Sequence, residues 1–341
     1  MPSLPATNSL LWFELPRSWV EPLIRYFRLR NTALDIAFYD VETLVRALRK
    51  HGVFVVTEPG PDEIRAAEQP AMKTVRLDLD ALANPEGSIL VVDAAGPTYV
   101  TAFDSVPTFL QHAKGCKPAI RTVSVTGVGS SALGAAAFAW NISSALRQPV
   151  AAIVPGYGMA DVVQQALGGW FGFGLYNFWV KELTQNVLAR TAPSIAHIGR
   201  GLMKTVPSHQ EIHGVPVLRR GSGSSDVLHD ILQGLPSIDR ALGHSKGALV
   251  IKNAIADLPA DVTARLNVLT FGCPIDETAP TVAHYEKFLG NLDVLGWLNA
   301  WGNRPEIQVV AHHSTNTSIP LSMRITELLG TPDAGIDPGI H

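Results

Sequence analysis

Cysteine is nearly missing. The chain has two, Cys116 and Cys273, in 341 residues, too few for a disulfide framework and not spaced as a C-x-x-C pair. A reducing compartment is compatible with that. Charge of one sign is equally short, with 27 Lys and Arg against 30 Asp and Glu, and no basic stripe is present. Nucleic acid, whose phosphates call for clustered Lys and Arg, is therefore not expected as a partner. No stretch approaches the ~20 apolar residues of a membrane-spanning helix. The first residues lack the early positive charge, apolar core and small-residue cleavage site of a signal peptide, so a cytoplasmic location is expected, with export by another route left open. Charged residues amount to only 17%, and the mean hydropathy is +0.15. That apolar surplus is available to a ligand, a lipid surface or a partner.

A hydrophobic content of 46% easily supplies a core for one large domain. Its organising stretch is 238–248, IDRALGHSKGA, where Gly243, Ser245 and Gly247 form G-x-S-x-G. In that motif a serine sits on a sharp strand-to-helix turn whose crowding demands glycine on both sides. Residues 238–242 suit a strand, and 248–258 carry apolar residues at helical spacing, so strand, elbow and helix come in the required order. The bland alternative is a tight turn without chemistry.

Residues 1–70 read as a helical extension with periodicity at 19–29 and 41–51 and a strand at 53–56, and no chemistry is evident there. Three β-rich runs, 74–79, 88–92 and 98–102, read as a meander leading into a sheet. Then 121–126, the small-residue loop 127–131, an alanine-rich helix at 132–146 and 149–154 form a β-loop-α-β unit, which implies parallel neighbours. Residues 159–230 fall where caps are inserted. Further strands are expected at 266–271, 287–292 and 306–311, and a helix at 322–329. The tail from 331 reads as loose.

These residues resemble the α/β-hydrolase superfamily, most closely its lipase-like members. The matches are VTGVGSS at 125–131, PGYG at 155–158, GHSKG at 243–247, TFGCP at 270–274 and the late Asp293 and His312-His313. Thr126 departs from the histidine usual before the oxyanion glycine. The resemblance covers about residues 120–330. It implies an α/β-hydrolase fold: a mostly parallel central sheet flanked by helices, with a cap at about 159–230. It also implies a Ser-His-Asp triad of Ser245, His313 and Asp293, with Asp276 and His312 as the rival acid and base. The backbone N–H groups of Lys246 and of Val128 or Gly129 would hold the oxyanion. A serine hydroxyl needs such a base, and the base needs a third group to orient it.

Six aromatics crowd into 170–179, including Trp170, Phe171, Phe173 and Trp179. They serve either as cap packing or as an acyl-binding wall. The expected function is hydrolysis of carboxylic esters, lipid-like or otherwise acyl, through an acyl-enzyme and without cofactor. Thioesterase or phospholipase chemistry on the same triad and an idle binding fold are the alternatives. GVGSSA at 127–132 also fits a dinucleotide fingerprint, but no acidic residue closes the next strand to bind a ribose. His209 and His213 have metal-ligand spacing on a helix, yet Glu211 is misplaced for H-E-x-x-H; we read the pair as polar cap surface, with no metal.

Overall fold

Alternating β-rich and helical runs produce a three-layer α/β arrangement. The computed structural model describes residues 17–56, 75–79, 84–127, 129–155, 208–212, 215–220, 223–274, 282, 284–300 and 305–330. The helices are α1 (Arg17–Phe38), α2 (Val41–Lys50), α3 (Val106–Gly115), α4 (Ala132–Leu146), α5 (Gly223–Gly234), α6 (Gly247–Ile255), α7 (Ala260–Thr263), α8 (Val294–Asn299) and α9 (Ile325–Leu328). The strands are β1 (Val53–Val56), β2 (Val75–Asp78), β3 (Ile89–Val92), β4 (Val100–Phe103), β5 (Thr122–Val125), β6 (Val150–Ile153), β7 (Ser208–Ile212), β8 (Val215–Arg220), β9 (Arg240–His244), β10 (Asn267–Phe271), β11 (His284–Gly290) and β12 (Ile307–Val309).

Eight strands form the main sheet in the order β12-β11-β10-β9-β5-β6-β3-β4. Neighbours from β12 to β6 are parallel, and β3 and β4 add antiparallel, so the sheet is mixed. Strand periodicity divides the core in two. Leu90, Val92, Val150 and Ala152 face the layer with α2 and α4, while Ile89, Val91, Ala151 and Ile153 face α3, α5 and α6. Helix α4 is buried along most of its length, and its small alanines let it lie close to the strands. Ser131 caps it, accepting from the Leu133 amide at 3.2 Å.

Two expectations need correction. The runs at 74–102 are not one meander: β2 pairs in parallel with β1 in a separate two-stranded sheet, and only β3 and β4 form the antiparallel edge. Local β-propensity marks a strand but does not select its partner. His209 lies in β7, a strand of an antiparallel hairpin, so the helical spacing that joined it to His213 does not apply; His213 lies outside the described residues. Among the described residues, no helix is long and apolar enough to cross a membrane.

Candidate active site

Because β5, β9, β10, β11 and β12 run parallel, their carboxyl ends share one edge of the sheet, where ligands of open α/β sheets bind. Ser245 directly follows β9, Gly127 follows β5, Gly272 follows β10, Asp293 follows β11 and His313 follows β12. The sheet thus brings together residues up to 186 positions apart along the chain, from Gly127 to His313.

Ser245 has φ 52, the left-handed region that a residue with a side chain rarely adopts. Such strain costs on the order of 1–3 kcal/mol and persists only where surroundings enforce it. The enforcement is visible in the two glycines. A Cβ on Gly243 would come 2.7 Å from the Ala248 nitrogen, and one on Gly247 would come 2.1 Å from the Val125 carbonyl oxygen. The Ser245 amide donates to the Phe271 carbonyl at 2.8 Å, which ties the elbow to the end of β10. Lys246 supplies the next amide, at the entrance of α6, where helix N–H groups and dipole favour negative charge.

His313 Nδ1 lies 2.9 Å from each carboxylate oxygen of Asp293. Asp293 is fully buried, and its Oδ1 also accepts from the Gly296 amide at 2.6 Å, capping α8. A carboxylate can only accept, so Nδ1 carries the proton and Nε2 keeps its lone pair. Gly272 has φ 69, and a Cβ there would come 3.0 Å from Asp293 Oδ2 and from His313 Nδ1. The glycine of TFGCP is therefore the space in which the Asp293 carboxylate and the His313 ring meet. His312 faces away: its Nε2 donates to the Pro320 carbonyl at 2.9 Å, and its Nδ1 accepts from the Ser314 amide at 3.0 Å. Next to the pair, Cys273 is buried, and burial pushes its thiol up to about 12, so it stays protonated.

Gly127 completes the ring of loops, since a Cβ on it would come 3.1 Å from Ser245 Cβ and 3.4 Å from Ser245 Oγ. Its amide is already used, donating to Tyr39 Oη at 2.8 Å. Val128, Asp276, Trp170, Phe171, Phe173 and Trp179 lie outside the described residues.

No chemistry was evident in the first 70 residues, yet Asp35 and Tyr39 both reach this site. Asp35, fully buried, accepts from Ser130 Oγ at 2.9 Å, Ser131 Oγ at 2.5 Å and the Ser131 amide at 3.2 Å. Burial outweighs these donors and raises its carboxyl to about 7. The side chains and amide at the N-terminus of α4, the end of the GVGSSA run, are thus engaged by the Asp35 carboxyl of the chain itself. Neither residue was legible from local pattern, because their partners lie 88 to 205 positions away. The charge-free polar run STNTS after His313, rich in side-chain donors, signals the neighbouring helix end at 36–40 and not Asp35 or Tyr39.

No protein family, characterised protein or solved structure gives a significant match to this chain.

Proposed function

We propose that the chain is a serine hydrolase of carboxylic esters with an α/β-hydrolase architecture, in which Ser245 is the nucleophile, His313 the base and Asp293 the orienting acid. One observation carries the reading: a serine in left-handed backbone on a glycine-flanked elbow, on the same sheet edge as a buried Asp-His pair. Residues Ser, Asp and His also follow each other along the chain in the order of that architecture.

In the proposed reaction Ser245 Oγ attacks the ester carbonyl carbon while His313 Nε2 takes its proton. The carbonyl oxygen becomes an oxyanion, held by the amides of Lys246 and Val128. The Ser245 and Gly127 amides are themselves bonded to Phe271 and Tyr39. One oxyanion donor is worth about 3 kcal/mol in other serine hydrolases. The imidazolium then protonates the departing alcohol, and water repeats the sequence to release the acid. The chemistry calls for no cofactor.

An apolar acyl group is favoured by the surroundings of the acid and base. Leu292, Val294, Trp297, Leu298, Val310 and Leu321 are all exposed, and backbone hydrogen bonds from Leu292 to Ala311 and from His312 to Leu321 join the three segments that carry them. Residues 307–323 contain no Asp, Glu, Lys or Arg. Exposed apolar surface of this kind marks ligand or lipid contact. Thioester and phospholipid substrates would use the same parts.

The test is hydrolysis of p-nitrophenyl esters from acetyl to palmitoyl, and of an acyl thioester, by the wild type and by Ser245→Ala. Turnover that disappears in the alanine form, with an optimum at longer acyl chains, supports the reading. Equal rates in both forms, or a wild type that neither turns over nor reacts with a fluorophosphonate at Ser245, overturns it.

A further inference from the structure

We infer that Tyr39 is a positioning residue of this site, its hydroxyl setting the oxyanion loop against the base loop through His244. The inference rests on the reading of Ser245, His313 and Asp293 as a triad.

The directions of the hydrogen bonds follow from chemistry alone. The Gly127 amide can only donate, so Tyr39 Oη accepts from it at 2.8 Å and spends its own proton on His244 Nδ1 at 2.9 Å. His244 Nε2 faces the His313 carbonyl oxygen at 2.9 Å, and a carbonyl can only accept, so Nε2 carries the proton. The chain therefore runs one way, from the Gly127 amide through Tyr39 and His244 to His313, with one proton per link. Tyr39 and His244 are 2% and 1% exposed, so water offers no substitute partner. His244 directly precedes Ser245. A single side chain thus touches the oxyanion loop and, one bond further on, the elbow and the base.

Tyr39 is itself held firmly. It follows α1, its amide donating to the Asp35 carbonyl at 2.8 Å, and its ring meets Phe138 and His244 edge-on. The last carbonyls of α1, which a helix leaves without internal partners, accept from the base loop: Ser314 Oγ donates to Ala37 at 2.7 Å, the Thr315 amide to Phe38 at 2.9 Å and Asn316 Nδ2 to Ile36 at 2.6 Å. Asp40 adds the Thr317 amide at 2.6 Å. The ring of Phe38 stands edge-on to that of His313 at 5.7 Å. One end of α1 therefore fixes the base loop directly and the oxyanion loop through Tyr39.

Tyr39→Phe removes one oxygen and leaves the ring packing in place. The Gly127 amide and His244 Nδ1 then both lack a partner, and the two loops lose their common reference. Active serines are counted by a fluorophosphonate, and kcat and KM on p-nitrophenyl butyrate are expressed per labelled serine. A trifluoromethyl ketone, which Ser245 converts to a tetrahedral adduct, reports transition-state binding separately. The expected result is a fall in kcat per active serine of about 10- to 100-fold, KM within about twofold, and a matching rise in the ketone's Ki. The double variant Tyr39→Phe/His244→Asn should lose little beyond the worse single variant, because both cut one chain. Unchanged kcat and Ki per labelled serine, or a variant that only loses folded protein, assigns Tyr39 to stability and overturns the inference while leaving the triad intact. A wild type with no turnover and no label at Ser245 overturns both.

Discussion

Asp293→Asn changes one atom of a buried carboxyl group and tests the proposed role of His313 as base. In the wild type Asp293 accepts three contacts, His313 Nδ1 on both oxygens at 2.9 Å and the Gly296 amide on Oδ1 at 2.6 Å. Asparagine has one acceptor oxygen. The Gly296 amide can only donate, so that oxygen stays with it, and the new NH2 group turns to His313. His313 Nδ1 must then accept, which moves its proton to Nε2, the nitrogen that receives the Ser245 proton in the proposed reaction. Wrong-tautomer variants of other triads lose about 10⁴-fold in kcat, roughly 5 kcal/mol of barrier. The cap on α8 is retained, so thermal unfolding should move by only a few degrees. Initial rates on p-nitrophenyl butyrate, normalised to fluorophosphonate-labelled serine, give the number. A loss under tenfold in Asp293→Asn, or an equal loss in Asp276→Asn, would refute the assignment of the acid.

Three further outcomes follow from the same geometry. Gly247→Ala puts a Cβ 2.1 Å from the Val125 carbonyl oxygen and 2.9 Å from that of Thr126; backbone cannot step aside as a side chain can, so stability should drop by roughly 3 kcal/mol or more, read as a lower urea midpoint. His312→Ala gives up two hydrogen bonds outside the acid-base pair, so we expect a stability loss of ~1–2 kcal/mol and less than tenfold in kcat, against near-complete loss of turnover in His313→Ala. Asp35 has a folded-state pKa raised from 3.8 to about 7 by burial, so the stability of its neutral form is full below pH 4 and is lost as pH rises through about 7; the drop between pH 5 and pH 8 is on the order of 3 kcal/mol. Asp35→Asn should flatten that slope in denaturant titrations, and an unchanged slope would show that Asp35 is not its source.

How much of this was legible in the sequence depended on the range of the interaction. Helix α4 is read with the bounds that the structure gives, 132–146, because Ser131 caps it locally and its alanines propagate the helix. The elbow is equally local, since Gly243 and Gly247 lie two residues either side of the strained serine. Helix α1 reads only as 19–29 but extends over Arg17–Phe38. Its second half turns Asn31 and Asp35 toward the interior, both 0% exposed, so the apolar periodicity fails where the helix is most deeply engaged. Strand β2 carried a correct propensity and an incorrect partner, since a crossover selects the partner and local composition does not.

The same contrast explains why the first segment looked idle. A helix end that serves a distant loop needs polar groups facing inward, and on a one-dimensional pattern those groups look like exposed ones. Asp35 and Asp40 carry no local signal that sets them apart from solvated acids. In the fold they accept from Ser130, Ser131 and Thr317, while the carbonyls of Ile36, Ala37 and Phe38 between them accept from residues 314–316. The donors come from STNTS, which has the side-chain hydroxyls and amides that orphan helix carbonyls need and carries no charge that would have to be buried with them. The loop that bears His313 and the helix that precedes Tyr39 are thus complementary in donors and acceptors, although nearly the whole chain separates them. Cutting that complementarity at Ser314→Ala removes one donor from the Ala37 carbonyl and should cost about 1 kcal/mol of stability.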